Sequence, residues 1–286
     1  MNGQVPFQQV DVFTAKPFQG NPVAVVLDGN DLSSEEMQAI ANWTNLSETT
    51  FVCEPSDPKA DYKLRIFTPN NELPFAGHPT LGSAYAVQKH GLSPKTEGRF
   101  VQESGIGLIT IISDGDQMFF TLPKSKQTSI DSQKLNELTD ALDVDPANVK
   151  AALTIDLGVV WMTLQLSDAE VVRNLRPNME KLTALTPKGV TGVTVFGSTT
   201  EPSDAAFEVR SFAPGEGVPE DPVCGSGNGS VATMVQQLEL TEGADYVASQ
   251  GSCLGRNGRV EIRFQDDGSI LLGAHAVTCV EGQLNV

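Results

Sequence analysis

Cationic side chains are scarce in this chain: its 286 residues carry nineteen Lys and Arg against thirty-six Asp and Glu, a formal net charge of −17. No basic run offsets the deficit, so the surface repels a phosphate backbone and nucleic acid is not an expected partner. An anionic substrate gains no long-range steering either. A carboxylate ligand has to be held by local donors such as helix N-termini. Histidine and cysteine are also few, three and four residues. Cys53, Cys224, Cys253 and Cys279 lie far apart without a CxxC pair, which suggests neither a zinc site nor a disulfide framework and makes reduced thiols the default. No apolar stretch approaches the length of a membrane span, and the chain enters the strand-like segment 7–13 without a leader. The expectation is a cytoplasmic protein with no membrane partner. Asn42-Trp43-Thr44 and Asn45-Leu46-Ser47 match the glycosylation pattern, which is idle without secretion.

What is present comes nearly twice. Arg65-Ile66-Phe67-Thr68-Pro69 leads, through Pro74, to Ala76-Gly77-His78-Pro79-Thr80-Leu81-Gly82. Arg210-Ser211-Phe212-Ala213-Pro214 leads, through Pro219, to Cys224-Gly225-Ser226-Gly227-Asn228-Gly229. The offset of 145 becomes 148 after a short insertion, and it holds at a second landmark where Gln102, Ser104 and Gly107 fall on Gln250, Ser252 and Gly255. A period of half the chain implies two homologous domains, since a solenoid needs short repeats.

Short apolar or alternating segments dominate: 10–13, 23–27, 62–67, 107–112, 117–122, 159–166, 190–196, 207–212, 260–264 and 269–274. With Asp-Gly turns at Asp114-Gly115 and Asp267-Gly268, they read as antiparallel hairpins. Ser33-Ser34-Glu35-Glu36 opens a capped helix toward Trp43, and 132–142 has helical spacing. The runs after His78 and Asn228 are small and apolar on all sides, as in a helix enclosed by a sheet. These features predict an α+β chain in which each domain wraps a mostly antiparallel sheet around one central helix, with a polar linker at 123–132.

Several residues are candidates for chemistry. Gly77-His78-Pro79 puts a glycine before a helix and a proline in its first turn, where the missing N–H costs nothing. Gly225-Ser226-Gly227 repeats the arrangement with a hydroxyl added. Two such helix starts are expected to hold a carboxylate by backbone N–H groups and dipole, although glycine there also serves close packing of helix and sheet. His78 is a candidate donor or proton relay. Asp221 is either its carboxylate partner or a turn residue. Glu48 interrupts the entry to a strand at Leu46-Ser47-Glu48-Thr49-Thr50, and is either solvated or a general acid/base. The residues alone leave these alternatives open.

Read together, Gln19 to Val25, Asn45 to Thr49, Arg65 to Gly82, Glu220 to Gly229 and Gly251 to Gly258 resemble the PhzF family, the phenazine-biosynthesis-like isomerases. The resemblance spans the chain. It implies the diaminopimelate-epimerase fold, with an N-terminal domain of 1–124 plus 275–286, a C-terminal domain of 125–274, and an active site between them. In the enzyme that names the family, a glutamate shuttles a proton between two carbons of trans-2,3-dihydro-3-hydroxyanthranilate without metal or cofactor. By position in the motifs, Glu48, His78 and Asp221 are then the catalytic candidates, and Asn21, Gly77, Gly225, Ser226 and Gly227 the substrate-binding ones. The expected ligand is a small carboxylate and the expected assembly a homodimer.

Two positions depart from the family pattern. Cys224 stands where threonine is usual and aligns with a catalytic cysteine of the wider epimerase fold, but its counterpart in the first half is Ala76. Gly227 stands where alanine is common. The expectation is a cofactor-independent isomerase acting through Glu48 on a small carboxylic acid of unspecified identity. The alternatives are an epimerase that uses Cys224 and a catalytically silent binding protein.

Overall fold

Alternation in Tyr62-Lys63-Leu64-Arg65-Ile66-Phe67 is realised as a strand whose Tyr62, Leu64 and Ile66 are buried while Lys63 and Arg65 are half-buried, the period of two that a pleated backbone imposes. The same rule builds most of this computed structural model, which describes residues 3–200 and 203–286. The chain forms two compact units, one running to Thr121 and including Gly273–Val286, the other Leu122–Leu272.

The first unit contains, in order, β1 (Gln4–Val12), β2 (Asn21–Val26), α1 (Ser34–Thr44), β3 (Thr49–Cys53), β4 (Tyr62–Phe67), β5 (Glu72–Leu73), α2 (Gly77–Lys89), β6 (Arg99–Ser104), β7 (Gly107–Asp114) and β8 (Gln117–Thr121). The second contains β9 (Lys126–Ser129), α3 (Ser132–Leu142), β10 (Val149–Asp156), β11 (Val160–Leu166), α4 (Ala169–Asn174), α5 (Met179–Leu185), β12 (Gly192–Ser198), β13 (Phe207–Ala213), β14 (Val218–Asp221), α6 (Gly225–Gln237), β15 (Tyr246–Gln250), β16 (Gly258–Phe264) and the start of β17 (Ile270–Asn285). The rest of β17 belongs to the first unit, where it pairs antiparallel with β1.

The duplication read from the motifs is a duplication of pairing. In the first unit β1–β2 is antiparallel, β2–β3 parallel, β3–β4 and β4–β5 antiparallel, β4–β6 parallel and β6–β7 antiparallel. The second repeats this series in β10–β11, β11–β12, β12–β13, β13–β14, β13–β15 and β15–β16. Each unit is a mostly antiparallel, barrel-like sheet around one 13-residue helix, α2 or α6. Residues His78 to Val87 of α2 are all buried, which is why that run shows no polar face. Its small residues permit close approach: a Cβ on Gly82 would lie 2.5 Å from Val23 and 2.8 Å from Val12. Hydroxyls inside this packing bond one another, Ser83 to Thr50 at 2.8 Å and Thr163 to Ser230 at 2.9 Å, as burial requires.

Helix α1 begins at the expected capping box, with Ser33 N–H donating to Glu36 and Glu36 N–H to Ser33 Oγ. Met37 and Ala41 carry it onto Val26, Phe51 and Phe67. In the second unit α3 packs Leu138 and Leu142 against Leu164, Val193 and Phe212. The expected linker at 123–132 begins just after the boundary between the two units. It contains β9, which pairs antiparallel with β10 although all four side chains are exposed. Main-chain bonds alone hold such a strand, so side-chain alternation gives no sign of it. Helices α4 and α5 carry no sequence signal either, being six and seven residues long, too short for a periodic pattern.

Candidate active site

Glu48 lies in the turn between α1 and β3. The helix stops where Asn45 takes a left-handed conformation, φ 54°, and Thr44 and Thr49 hydroxyls bond across the turn at 2.7 Å. The Glu48 carbonyl accepts from Ala24 N–H at 3.3 Å. The side chain is therefore presented by a pinned backbone and is 18% exposed, beside a His78 side chain that is 8% exposed.

His78 occupies the first turn of α2, and its ring is fixed on both edges. Nε2 lies 2.9 Å from the Asn21 carbonyl and Nδ1 lies 3.0 Å from Glu48 Oε2. Phe13 stacks on the ring at 5.9 Å between centroids. A carbonyl only accepts, so Nε2 carries hydrogen and donates to Asn21. Nδ1 and Glu48 then hold one proton between them, either as imidazolium and carboxylate or as neutral imidazole and carboxylic acid. Asn21, Glu48 and His78 are thus joined by direct bonds. Within this unit the orienting partner of His78 is the Asn21 main chain, which the sequence does not reveal, because any residue type supplies a carbonyl. Gly77 has a packing reason of its own: a Cβ there would come within 2.8 Å of the Phe120 ring.

Asp221, Gly225, Ser226 and Gly227 belong to the second unit. Asp221 ends β14 and accepts from Val223 N–H at 3.1 Å. Cys224 caps α6, its sulfur accepting from Gly227 N–H at 3.3 Å. Burial, and next the Asp221 carboxylate, push its thiol well above the ordinary cysteine value, so it is a neutral capping group. Ser226 Oγ accepts from Trp161 Nε1 at 3.0 Å and lies 3.6 Å from Cys224 Sγ, a contact in which either atom can donate. A Cβ on Gly227 would collide with the Ser211 hydroxyl and come within 2.8 Å of Thr194 Oγ1. That hydroxyl pair, bonded at 3.1 Å, explains glycine in place of alanine here.

The second sequence landmark has a structural job. Gln250 accepts from Cys224 N–H at 3.1 Å and from Asn228 Nδ2 at 2.7 Å, and donates to the Asp221 carbonyl at 3.0 Å. Its counterpart Gln102 donates to Thr80 Oγ1 at 3.2 Å and accepts from Tyr62 at 3.1 Å. Both are buried struts under the start of a central helix. Their recurrence in the sequence was the available signal, but it did not say what they brace. Among the described residues no group of three or more His, Cys, Asp and Glu is placed to hold a metal, and no helix is long and apolar enough to cross a membrane.

Known proteins share these features at several distances. Residues 10–282 match the family described as phenazine biosynthesis-like protein, PhzC-PhzF. Antisense-enhancing sequence 1 of Schizosaccharomyces pombe is 41% identical over 292 residues, covering 97% of each chain. An uncharacterized isomerase of Mesorhizobium japonicum is 33% identical, covering 96% of each. Trans-2,3-dihydro-3-hydroxyanthranilate isomerase of Pseudomonas aeruginosa is 31% identical, covering 91% of this chain and 90% of its own. A PhzF-family phenazine biosynthesis protein of Bacillus anthracis superposes with a TM-score of 0.86 at 22% identity, covering 99% of this chain and all of that one. A hydroxyproline epimerase of Agrobacterium vitis reaches 0.63 at 14% identity, covering 99% and 91%, a likeness of fold alone. With its duplicated pairing order and a match from residue 10 to residue 282, the chain belongs to the phenazine biosynthesis-like (PhzC-PhzF) family, as an isomerase.

Proposed function

We propose that the chain is a cofactor-independent isomerase that moves a proton on a small unsaturated carboxylic acid, with Glu48 as the single acid/base. The observation that carries this is the His78 bridge, Nδ1 at 3.0 Å from Glu48 Oε2 with Nε2 anchored at 2.9 Å on Asn21. His78 occupies Oε2, which leaves Oε1 to meet the substrate. Glu48 Oε1 takes a proton from one carbon, the C–H electron pair enters the conjugated system, the double bond shifts, and the same oxygen returns the proton to the far carbon. One group removing and returning one proton needs no second base. Asp221, Ser226 and the N–H groups of Gly225 and Gly77 are assigned to the substrate's polar groups, where helix-start donors offset developing charge.

The epimerase alternative needs a thiolate at Cys224. Burial opposes that, and Ala76 stands at its repeat position. The first compound to test is the substrate named for the Pseudomonas aeruginosa relative, followed by other small cyclic unsaturated acids. Turnover in deuterium oxide is expected to place solvent deuterium on the product carbon that receives the proton. Product formed without deuterium, under conditions where the Glu48 acid exchanges with solvent, argues for direct hydrogen migration and against a shuttle.

A further inference from the structure

The second unit contains a cavity of about 230 Å³ whose lining includes Arg173, Glu208, Ser249, Ser252, Asn257 and Arg259. None of these is among the residues assigned to the isomerase reaction. Glu208 is buried, 4% exposed. Its two oxygens accept one hydroxyl each, from Ser252 to Oε1 and from Ser249 to Oε2, both at 2.6 Å. A carboxylate has acceptor capacity for more. Arg173 stands at 3.6 Å from Glu208 Oε2 with its side chain 45% exposed, and its guanidinium has no hydrogen-bond acceptor among the described residues. Arg259 is already spent, forked onto Asp204 at 2.9 and 3.0 Å and bonded to Asn257 at 2.8 Å.

The internal repeat fills the same corner differently. At the 145-residue offset Glu208 falls on Lys63, and at 148 Ser249 and Gly251 fall on Val101 and Glu103. There the corner is closed: Glu103 accepts from Ser56 N–H at 2.7 Å, Ser56 Oγ at 2.6 Å and Asp57 N–H at 2.9 Å, and pairs with Lys63 at 3.4 Å. Glu208 thus stands where the first copy has a lysine, and it lines an open cavity, whereas the first copy's carboxylate is closed over by main-chain donors.

The geometry points to a binding site for a small zwitterion of the α-amino acid type. Glu208 offers acceptor positions to an ammonium group, and Arg173 offers its fork to a carboxylate. The two charges are adjacent, as they are in an α-amino acid. A simple anion would meet Glu208 and a simple cation would meet Arg173, so each is rejected by the charge that the other half of a zwitterion satisfies. Gln250 lines the same cavity and bonds Asp221 and Cys224, so occupancy is expected to register at the start of α6.

The test is nuclear magnetic resonance titration of the full-length, nitrogen-15-labelled protein with glycine, L-serine, L-threonine and L-aspartate at millimolar concentration, with acetate and methylammonium as separate controls. At least one amino acid is expected to shift Ser249, Ser252 and Asn257 amides saturably, and neither control to do so. Arg173→Ala, once its amide spectrum shows a folded protein, is expected to weaken binding at least about tenfold, and Glu208→Gln to do the same. No shift with any amino acid, an equal shift with acetate alone, or wild-type binding by Arg173→Ala overturns the proposal. If Glu208→Gln fails to fold, the Arg173 variant and the acetate control still decide it.

Discussion

Arg210 forks onto Glu220, Nε to Oε1 and one terminal nitrogen to Oε2, both at 2.8 Å. The bond repeats at the duplicated position, Arg65 to Glu72 at 2.7 Å twice, and each arginine also lies over a phenylalanine, Phe212 at 5.0 Å and Phe67 at 5.1 Å. Burial separates the copies. Arg210 and Glu220 are 7% and 11% exposed, Arg65 and Glu72 22% and 42%. Arg210 also donates to the carbonyls of Val172 and Leu175 at 3.2 Å.

Glu220→Ala therefore leaves an uncompensated charge inside the protein and is expected to cost about 3–5 kcal/mol. Glu72→Ala is expected to cost at most about 1 kcal/mol, because water replaces the lost partner. Urea unfolding of both variants checks this. Equal costs would mean that burial does not govern the difference between the copies.

Glu48→Gln keeps the shape and one hydrogen bond to His78 but cannot accept and return a proton. Turnover is expected to fall by about 10²–10⁴-fold with substrate binding retained, measured by steady-state kinetics and calorimetry. Loss of binding with unchanged turnover number would reassign Glu48 to recognition.

Cys224→Ser is expected to leave turnover nearly unchanged, since a hydroxyl caps α6 as well as a thiol. The raised thiol keeps its proton through neutral pH, so iodoacetamide should label exposed Cys253 well before Cys224, as site-resolved mass spectrometry will show. Rapid labelling of Cys224 at neutral pH, or a dead serine variant, would favour the thiol as catalyst.

Glu103 is held at about 2, below the ordinary carboxylate value of 4.5, first by the Ser56 hydroxyl and then by the Asp57 N–H. A depressed carboxylate contributes stability above its unfolded value and loses it as pH falls through the folded one. Melting temperature of the wild type should thus fall more steeply than that of Glu103→Gln between about pH 4.5 and pH 2. Parallel curves would show that these donors do not hold the charged form.

The family resemblance and the need to cover sheet edges lead us to expect a homodimer. Light scattering at micromolar concentration should give twice the 30.5 kDa chain mass. A clean monomer mass removes the expectation.

The sequence by itself determined the parts whose cause lies within a few residues. Ser33 and Glu36 cap α1 through bonds between neighbours, and the all-round apolar runs after His78 and Asn228 have to be enclosed. The 145-to-148 offset carries the pairing order, because two similar sequences meet the same local rules twice. Tertiary structure decided the rest. His78 reaches Glu48 and Asn21, 30 and 57 residues away, and Trp161 reaches Ser226 across 65. Such partners depend on which strands neighbour one another and in which register, a relation that no local periodicity encodes. The two arginine–glutamate pairs make the same point. Similar motifs specify the same bond, but what packs over it sets its burial, and burial sets its energy.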